Sequence, residues 1–378
     1  MKKKYILPVL ILFLAITLPV ICLAIVLLCE AENWNSRLFV SSLIVTYFAT
    51  LFLFIAIKTD KKSMISRVFF LYILGGVLIV LCYFLSPTGF TQNSHLQSFF
   101  PTGQKYIQWS PANLVSEIDQ IKLGAFVISR FKPFGVTSRE ALRFKNLAQE
   151  VYHQMQDNPE FISIGSTLHY MYTELLGFPI KNRHLYVYIP QHSPQEKLPV
   201  ILFLHGSFGN LKGYLWCWKI LADKHHFAIV APSFGFGRWH NQESVSVIEQ
   251  ARQFCVWHPT LDEKKIILAG LSSGGIGVSQ AAQMYPDHYQ GLLYISAVVE
   301  ANIVNSPEFV QGWRGRPIFI IHGDLDERIP KTYIEEIVSN LSYNGLHPVV
   351  KYYNDEDHFL LFSKRLEVMT EIYRWTRI

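Results

Sequence analysis

Three stretches near the start of the chain, residues 6–29, 38–57 and 68–85, are almost continuously apolar and hold no charged side chain. A helix needs about 20 apolar residues to cross the hydrocarbon core of a bilayer, and each stretch reaches or approaches that length. Helices packed on a soluble core carry a polar face, and none of these does. The pattern therefore predicts a transmembrane segment over residues 1–86. Pro8 and Pro19 fall in the first stretch, where membrane helices tolerate proline because neighbouring groups satisfy the freed carbonyls. A cleaved signal peptide fits less well, since its apolar core is shorter, about 7–15 residues, and ends at small residues. Leu27-Leu28 before Cys29 also lacks the small residue of a lipidation site.

Past Ser86 the pattern changes. Residues 87–160 form a connecting region, rich in Pro, Gly, Ser and aromatic residues up to about 135, with a short helix around Asn113–Ile128. Thr137-Ser138-Arg139-Glu140 reads as a capping box and opens an amphipathic helix over about 138–155. Asp157-Asn158-Pro159 ends it. From 161 to 378, short runs with strand composition recur at Phe161–Ile164, His169–Glu174, His184–Ile189, Val200–Leu204 and Ala228–Ala231. Four more come at Ile266–Ala269, Leu292–Ile295, Pro317–Ile321 and Val349–Tyr353. Helical periods separate several of them, at Leu215–His225, Ser244–Trp257, Gly275–Tyr285, Lys331–Asn344 and Phe359–Thr376. Such alternation predicts an α/β domain with a mostly parallel sheet and helices on both faces.

Charge refines the picture. The net charge is +5, but up to Pro87 eight basic residues face three acidic ones, and beyond it 26 of each sign balance. The basic excess belongs to the membrane edges, so nucleic acid is not an expected partner. Positive residues mark cytoplasmic loops. Lys2-Lys3-Lys4 and the loop with Lys58, Lys61, Lys62 and Arg67 fit the inside, while Glu30, Glu32 and Arg37 fit the outside. Three crossings then place everything after Leu85 on the extracytoplasmic side. The five cysteines have no metal or disulfide spacing; Cys217 and Cys255 could pair in an oxidising compartment. With no CxxC or HExxH motif, neither a metal nor a cofactor is expected.

Gly270-Leu271-Ser272-Ser273-Gly274 is a GxSxG match between a predicted strand and a predicted helix. By chance the motif arises in about one in ten chains of this length, so its placement matters more than its letters. A sharp strand-to-helix turn lifts a serine hydroxyl clear of the sheet, and small neighbours let the backbone bend. Two further elements come in the order nucleophile, acid, base. The strand ending at Ile321 runs into His322-Gly323-Asp324-Leu325-Asp326, and the next strand leads to Asp355-Glu356-Asp357-His358-Phe359. His358 is then the expected base for Ser272, with Asp326 holding the imidazole and Asp324 as its rival. His205 and His322 are expected to stabilise turns. Trp216, Trp218, Phe234, Phe236 and Trp239 suit an acyl pocket or the core equally.

Leu204-His205-Gly206-Ser207-Phe208-Gly209, Gly270-Leu271-Ser272-Ser273-Gly274-Gly275, the His322–Pro330 loop and Asp357-His358-Phe359 resemble the α/β-hydrolase superfamily. The similarity is strongest to its esterase, phospholipase/carboxylesterase and polyhydroxybutyrate-depolymerase-like branches. It covers about 180 residues, from Leu198 on, and leaves the first 135 untouched. The family loop aligns Asp326 rather than Asp324 as the acid. The resemblance implies oxyanion donors at the backbone N–H groups of Ser207 and Ser273. It also implies a serine hydrolase acting on small-molecule or lipid esters, which the apolar N-terminal stretches would anchor in a membrane. A serine peptidase of prolyl-oligopeptidase type needs an N-terminal propeller for which the chain has no room. A non-catalytic scaffold of the same fold would be expected to have lost a triad residue, and none is missing. About 20 residues separate the last two strands before the acid, too few for a large lid domain there; residues 86–160 are the other candidate cover.

Overall fold

The computed structural model describes residues 5–87, 94–106, 110–132, 135–178, 183–193, 195–209, 211–240 and 242–377. The Lys2-Lys3-Lys4 run lies outside the described residues. By contact density the chain divides into two units, one of residues 1–87 with 110–146, the other of 88–109 with 147–378.

The first unit is built on helices α1 (Ile6–Glu30), α2 (Trp34–Thr59) and α3 (Lys62–Leu85). All three are long and apolar enough to cross a membrane. Helices α2 and α3 approach closely at Gly75, where an added Cβ would lie 2.5 Å from Thr46 Oγ1. One polar pair, Thr50 Oγ1 with Tyr72 OH at 2.9 Å, bridges the same two helices. The end of α1, the start of α2 and the end of α3 meet at one face, where Asn35 Nδ2 donates to Ser86 Oγ (3.2 Å).

Helix α4 (Glu117–Phe131), preceded by a single 3-10 turn at Pro111–Leu114, docks on that face. Ser116 caps it, and Asp119, fully buried, accepts the backbone N–H groups of Glu32 (2.9 Å) and Asn33 (3.3 Å). Lys122, 6% exposed, pairs with Glu32 Oε1 at 3.0 Å and donates to the Glu30 carbonyl. Each buried charge is thus matched by an opposite charge or by backbone dipoles, as burial requires. Helix α5 (Ser138–Met155) opens on the expected capping box. Thr137 Oγ1 accepts the Glu140 N–H (3.2 Å), and Glu140 Oε2 accepts that of Thr137 (2.8 Å).

The second unit carries an eight-stranded sheet: β1 (Leu96–Phe99), β2 (Leu185–Tyr188), β3 (Leu198–Leu204), β4 (Ala228–Pro232), β5 (Leu261–Leu271), β6 (Gly291–Ile295), β7 (Ile318–Gly323) and β8 (Val349–Tyr353). Their order is β1-β2-β4-β3-β5-β6-β7-β8. Strands β1, β2 and β4 pair antiparallel, and the rest, from β4 through β8, run parallel. Strands β3 and β4 are buried nearly throughout, as expected of a sheet covered on both faces. The covering helices are α8 (Leu211–His225), α9 (Gln242–Trp257), α10 (Gly274–Met284), α13 (Lys331–Tyr343) and α15 (Arg365–Thr376).

Four expectations need correction. Phe161–Ile164 and His169–Glu174 are not strands but helices, α6 (Pro159–Ser163) and α7 (His169–Leu175). Asn158 Oδ1 accepts the N–H groups of Glu160 and Phe161, and Pro159 sits at the first helical position. In α6 this start signal outweighs the strand propensity of a four-residue run. The connecting region is not wholly irregular, since β1 adds an antiparallel edge to β2. The last predicted helix breaks at Lys364 into α14 (Leu360–Ser363) and α15. The break lets Leu360, Leu361 and Phe362 all be buried, which one face of a continuous helix does not permit. Between β6 and β7 lie only two short helices, α11 (Ala301–Val304) and α12 (Pro307–Trp313).

Candidate active site

Ser272 comes directly after β5 with φ at +52°, in the left-handed region that non-glycine residues rarely adopt. Its N–H donates to Ile295 O (3.2 Å), and its carbonyl accepts Val298 N–H (2.9 Å) and Gly275 N–H (3.1 Å). These bonds hold the strained turn, a cost of about 1–3 kcal/mol that persists only where surroundings over-determine it. The flanking glycines are steric requirements. A Cβ at Gly270 would lie 2.7 Å from the Gly274 backbone, and one at Gly274 would collide with the Leu204 carbonyl.

His358 stands in the loop after β8. Its Nε2 lies 3.0 Å from Ser272 Oγ and its Nδ1 2.7 Å from Asp326 Oδ2. A carboxylate can only accept, so Nδ1 carries the proton and Nε2 presents its lone pair to the serine hydroxyl. Asp326, 4% exposed, is fixed from its other oxygen, where Oδ1 accepts the N–H groups of Arg328 and Ile329, both at 2.9 Å. Burial works to raise its pKa. The hydrogen bond and charge of His358, with the Ile329 N–H, outweigh burial and hold the carboxyl below its usual value. His322 closes the same loop by donating from Nε2 to Ile329 O (2.9 Å). The rival acid, Asp324, spends its N–H on Tyr353 O (3.1 Å), and its Oδ1 is buried without a hydrogen-bond partner.

The structure thus joins Ser272, His358 and Asp326 in one hydrogen-bonded row and leaves Asp324 out of it. Ser207 and Ser273 lie beside the relay. Ser207 Oγ donates to Ser273 Oγ (3.2 Å), and a Cβ at Gly206 would be 3.1 Å from Ser272 Cβ. Among the aromatic residues, Trp218, Trp239 and Phe234 belong to the buried core. Trp216 packs edge-on to Phe161. Phe236 packs edge-on to Phe208, with 5.9 Å between ring centroids. Cys217 and Cys255 are both buried as free thiols, with pKa values pushed up to about 12 by burial. Among the described residues no group of three or more His, Cys, Asp or Glu could hold a metal ion.

Sequence reasoning missed what positions these three residues. The backbone donors at Arg328 and Ile329 were legible in principle, because an aspartate two or three residues before free N–H groups is an Asx-turn signature. His205 carries no such signal. Its ring receives the N–H of Phe234, 29 residues on, at Nε2 (3.1 Å).

Residues 201–370 match the model of a family described as the alpha/beta hydrolase family. With the observed strand order, this identifies the second unit as an α/β-hydrolase fold. No curated protein matches the chain. Among solved structures, a thermostable esterase is 18% identical, with a TM-score of 0.41 over 50% of this chain and 59% of that one. A putative dipeptidyl aminopeptidase IV from Bacteroides ovatus is 16% identical, with a TM-score of 0.42 over 52% of this chain and 34% of that one. A hyperthermophilic esterase from the archaeon Pyrobaculum calidifontis is 15% identical, with a TM-score of 0.44 over 61% and 96%. The chain therefore spans less than two thirds of the first two.

Proposed function

We propose, from the α/β-hydrolase fold of the second unit and its relay, that the protein is a membrane-anchored serine hydrolase cleaving carboxylic esters. The observation that carries this reading is the geometry at His358, with 3.0 Å to Ser272 Oγ on one nitrogen and 2.7 Å to Asp326 on the other. Ser272 Oγ attacks the ester carbonyl as its proton passes to His358 Nε2. Asp326 holds the ring and stabilises the imidazolium. The oxyanion meets the N–H groups of Ser207 and Ser273. His358 returns the proton to the departing alcohol, leaving an acyl group on Ser272. A water, deprotonated by the same nitrogen, then releases the acid. No cofactor enters any step.

The anchor is the set α1–α3, and the lysines flanking the α2–α3 turn assign that turn to the cytoplasm. Helix α4 binds the opposite ends of these helices through Asp119 and Lys122, which supports an extracytoplasmic position for the residues after Leu85. Short acyl groups are the expected substrates, because only α11 and α12 stand between β6 and β7 and neither can wall a long tunnel. Turnover by the full chain in detergent, on an ester series from acetyl to palmitoyl with matching peptide amides, tests the reading. It requires ester over amide and short over long. A long-chain preference turns the assignment to a lipase, efficient peptide cleavage to a peptidase, and silence with an intact fold to a scaffold.

A further inference from the structure

Helix α7 ends in a rigid apolar tip that the ester chemistry does not use. Its first turn is anchored, with His169 and Tyr170 buried. At its other end the N–H of Phe178 donates to Thr173 O and that of Gly177 to Glu174 O, both at 3.0 Å. Gly177 has φ at +76°, which completes a Schellman cap. The apolar residue after the glycine of such a cap commonly packs back on its helix. Here Phe178 is 63% exposed, beside Leu175 at 63% and Leu176 at 71%. Among the described residues outside α1–α3, no other stretch of four holds three exposed large apolar side chains.

The tip stands at the catalytic end of the sheet. Glu174, the residue before it, accepts Phe236 N–H at 2.8 Å from the loop between β4 and α9. Phe236 O in turn accepts Phe208 N–H (3.3 Å), next to Ser207, whose Oγ donates to Ser273 Oγ (3.2 Å). Leu325, beside Asp326 at the same end, is also exposed. The other Glu174 oxygen faces the exposed Arg238 at 3.6 Å. The tip therefore has a guanidinium at its side, and apolar groups flanked by basic ones suit a lipid headgroup layer. Exposed apolar clusters mark interaction surfaces. As the anchor of the same chain, α1–α3 keep a bilayer within constant reach. We propose that the α7 tip inserts in the membrane surface and seats the mouth of the active site there, so that the substrate is a short-acyl ester of an amphiphilic alcohol held in the bilayer. This rests on the serine-hydrolase and membrane-anchor readings above. The acyl side needs no long tunnel, because the apolar part of the substrate stays in lipid.

The test uses the full chain with the exposed Cys22 and Cys29 replaced by alanine, in vesicles of phosphatidylcholine and phosphatidylglycerol that carry a nitroxide lipid. A fluorophore on Leu176→Cys should be quenched by that lipid. One on Tyr343→Cys should not, because the exposed Tyr343 ends α13 at the opposite, amino end of the parallel strands. Leu175→Ser, Leu176→Ser and Phe178→Ser are then combined, with melting temperature as the check on folding. The triple variant should lose at least about tenfold more kcat/KM on a vesicle-borne acetyl ester of a long-chain alcohol than on a soluble activated acetyl ester. Equal quenching at positions 176 and 343, or equal losses on the two esters, would overturn the proposal. A Leu176→Cys label that escapes the lipid nitroxide but self-quenches between chains would also overturn it, giving the tip to a second copy. A parent chain that hydrolyses neither ester would overturn the hydrolase reading and the substrate half of the proposal, whereas quenching at 176 alone would still support docking.

Discussion

Asp326→Asn probes the relay through its tautomer. The carboxylate makes three hydrogen bonds, to His358 Nδ1 at 2.7 Å and to the N–H groups of Arg328 and Ile329 at 2.9 Å each. Asparagine has a single oxygen to offer. If that oxygen turns to His358, the amide NH2 confronts two N–H donors, the Ile329 one buried and the Arg328 one partly so, at about 1–3 kcal/mol for a buried group left unsatisfied. If it stays with the backbone, the NH2 faces Nδ1 and His358 needs only to move its proton to Nε2. The second arrangement costs less and should prevail. It presents N–H instead of a lone pair to Ser272 Oγ, 3.0 Å away. A wrong tautomer of this kind lowers kcat by about 10⁴-fold, or about 5.4 kcal/mol of barrier at 1.36 kcal/mol per decade. Hydrolysis of an activated acetyl ester by the full chain in detergent measures it, with melting temperature as the control for folding. Asp324→Asn should change kcat by less than about threefold, because Asp324 Oδ1 has no hydrogen-bond partner to lose. A loss under tenfold in folded Asp326→Asn, or a larger loss in Asp324→Asn, would refute the assignment.

Buried histidines make stability pH-dependent in a stated direction. Burial lowers the pKa of His205 and of His169 from 6.5 to about 4, so the unfolded chain binds more protons between those values. Their contribution is complete above pH 6.5 and is lost as pH falls through about 4, with a limiting slope of about 1.4 kcal/mol per pH unit for each ring. Thermal melts from pH 8 to 4 should show this decline, and a flat profile between 6.5 and 4 contradicts it. Topology is tested with reporter fusions: one after Ser86 should be active for an exported reporter, and one at Lys61 inactive. The reverse pattern means the crossings are miscounted.

The parts legible in the sequence were those encoded by local chemistry at short spacing. Gly270, Ser272 and Gly274 could be read as a strand-to-helix turn because the glycines are small where backbone comes close, at Gly274 itself for Gly270 and at the end of β3 for Gly274. The capping box at Thr137 and Glu140 closes over three residues and forms as expected. The features that escaped depend on partners far along the chain. Helix α4 was readable as a helix, but not as a cover for the helix ends, because Asp119 and Lys122 find their partners 87 and 90 residues earlier. Strand β1 is four residues long and gains its identity only by pairing with β2. In α6 and α7 strand-forming side chains lost to a helix start signal and to burial of His169 and Tyr170. His205 reads as an ordinary turn residue until its ring is placed between Gly206 O and Phe234 N–H.

The most direct test is covalent. A fluorophosphonate reacts quickly only with a serine whose proton a neighbouring base removes and whose oxyanion is received. The full chain in detergent, treated with such a probe and mapped by peptide mass spectrometry, should carry one adduct, on Ser272. Ser272→Ala should abolish the adduct, and His358→Ala should slow its formation by orders of magnitude. An adduct that survives Ser272→Ala, or no adduct at all on a folded parent chain, would contradict the account.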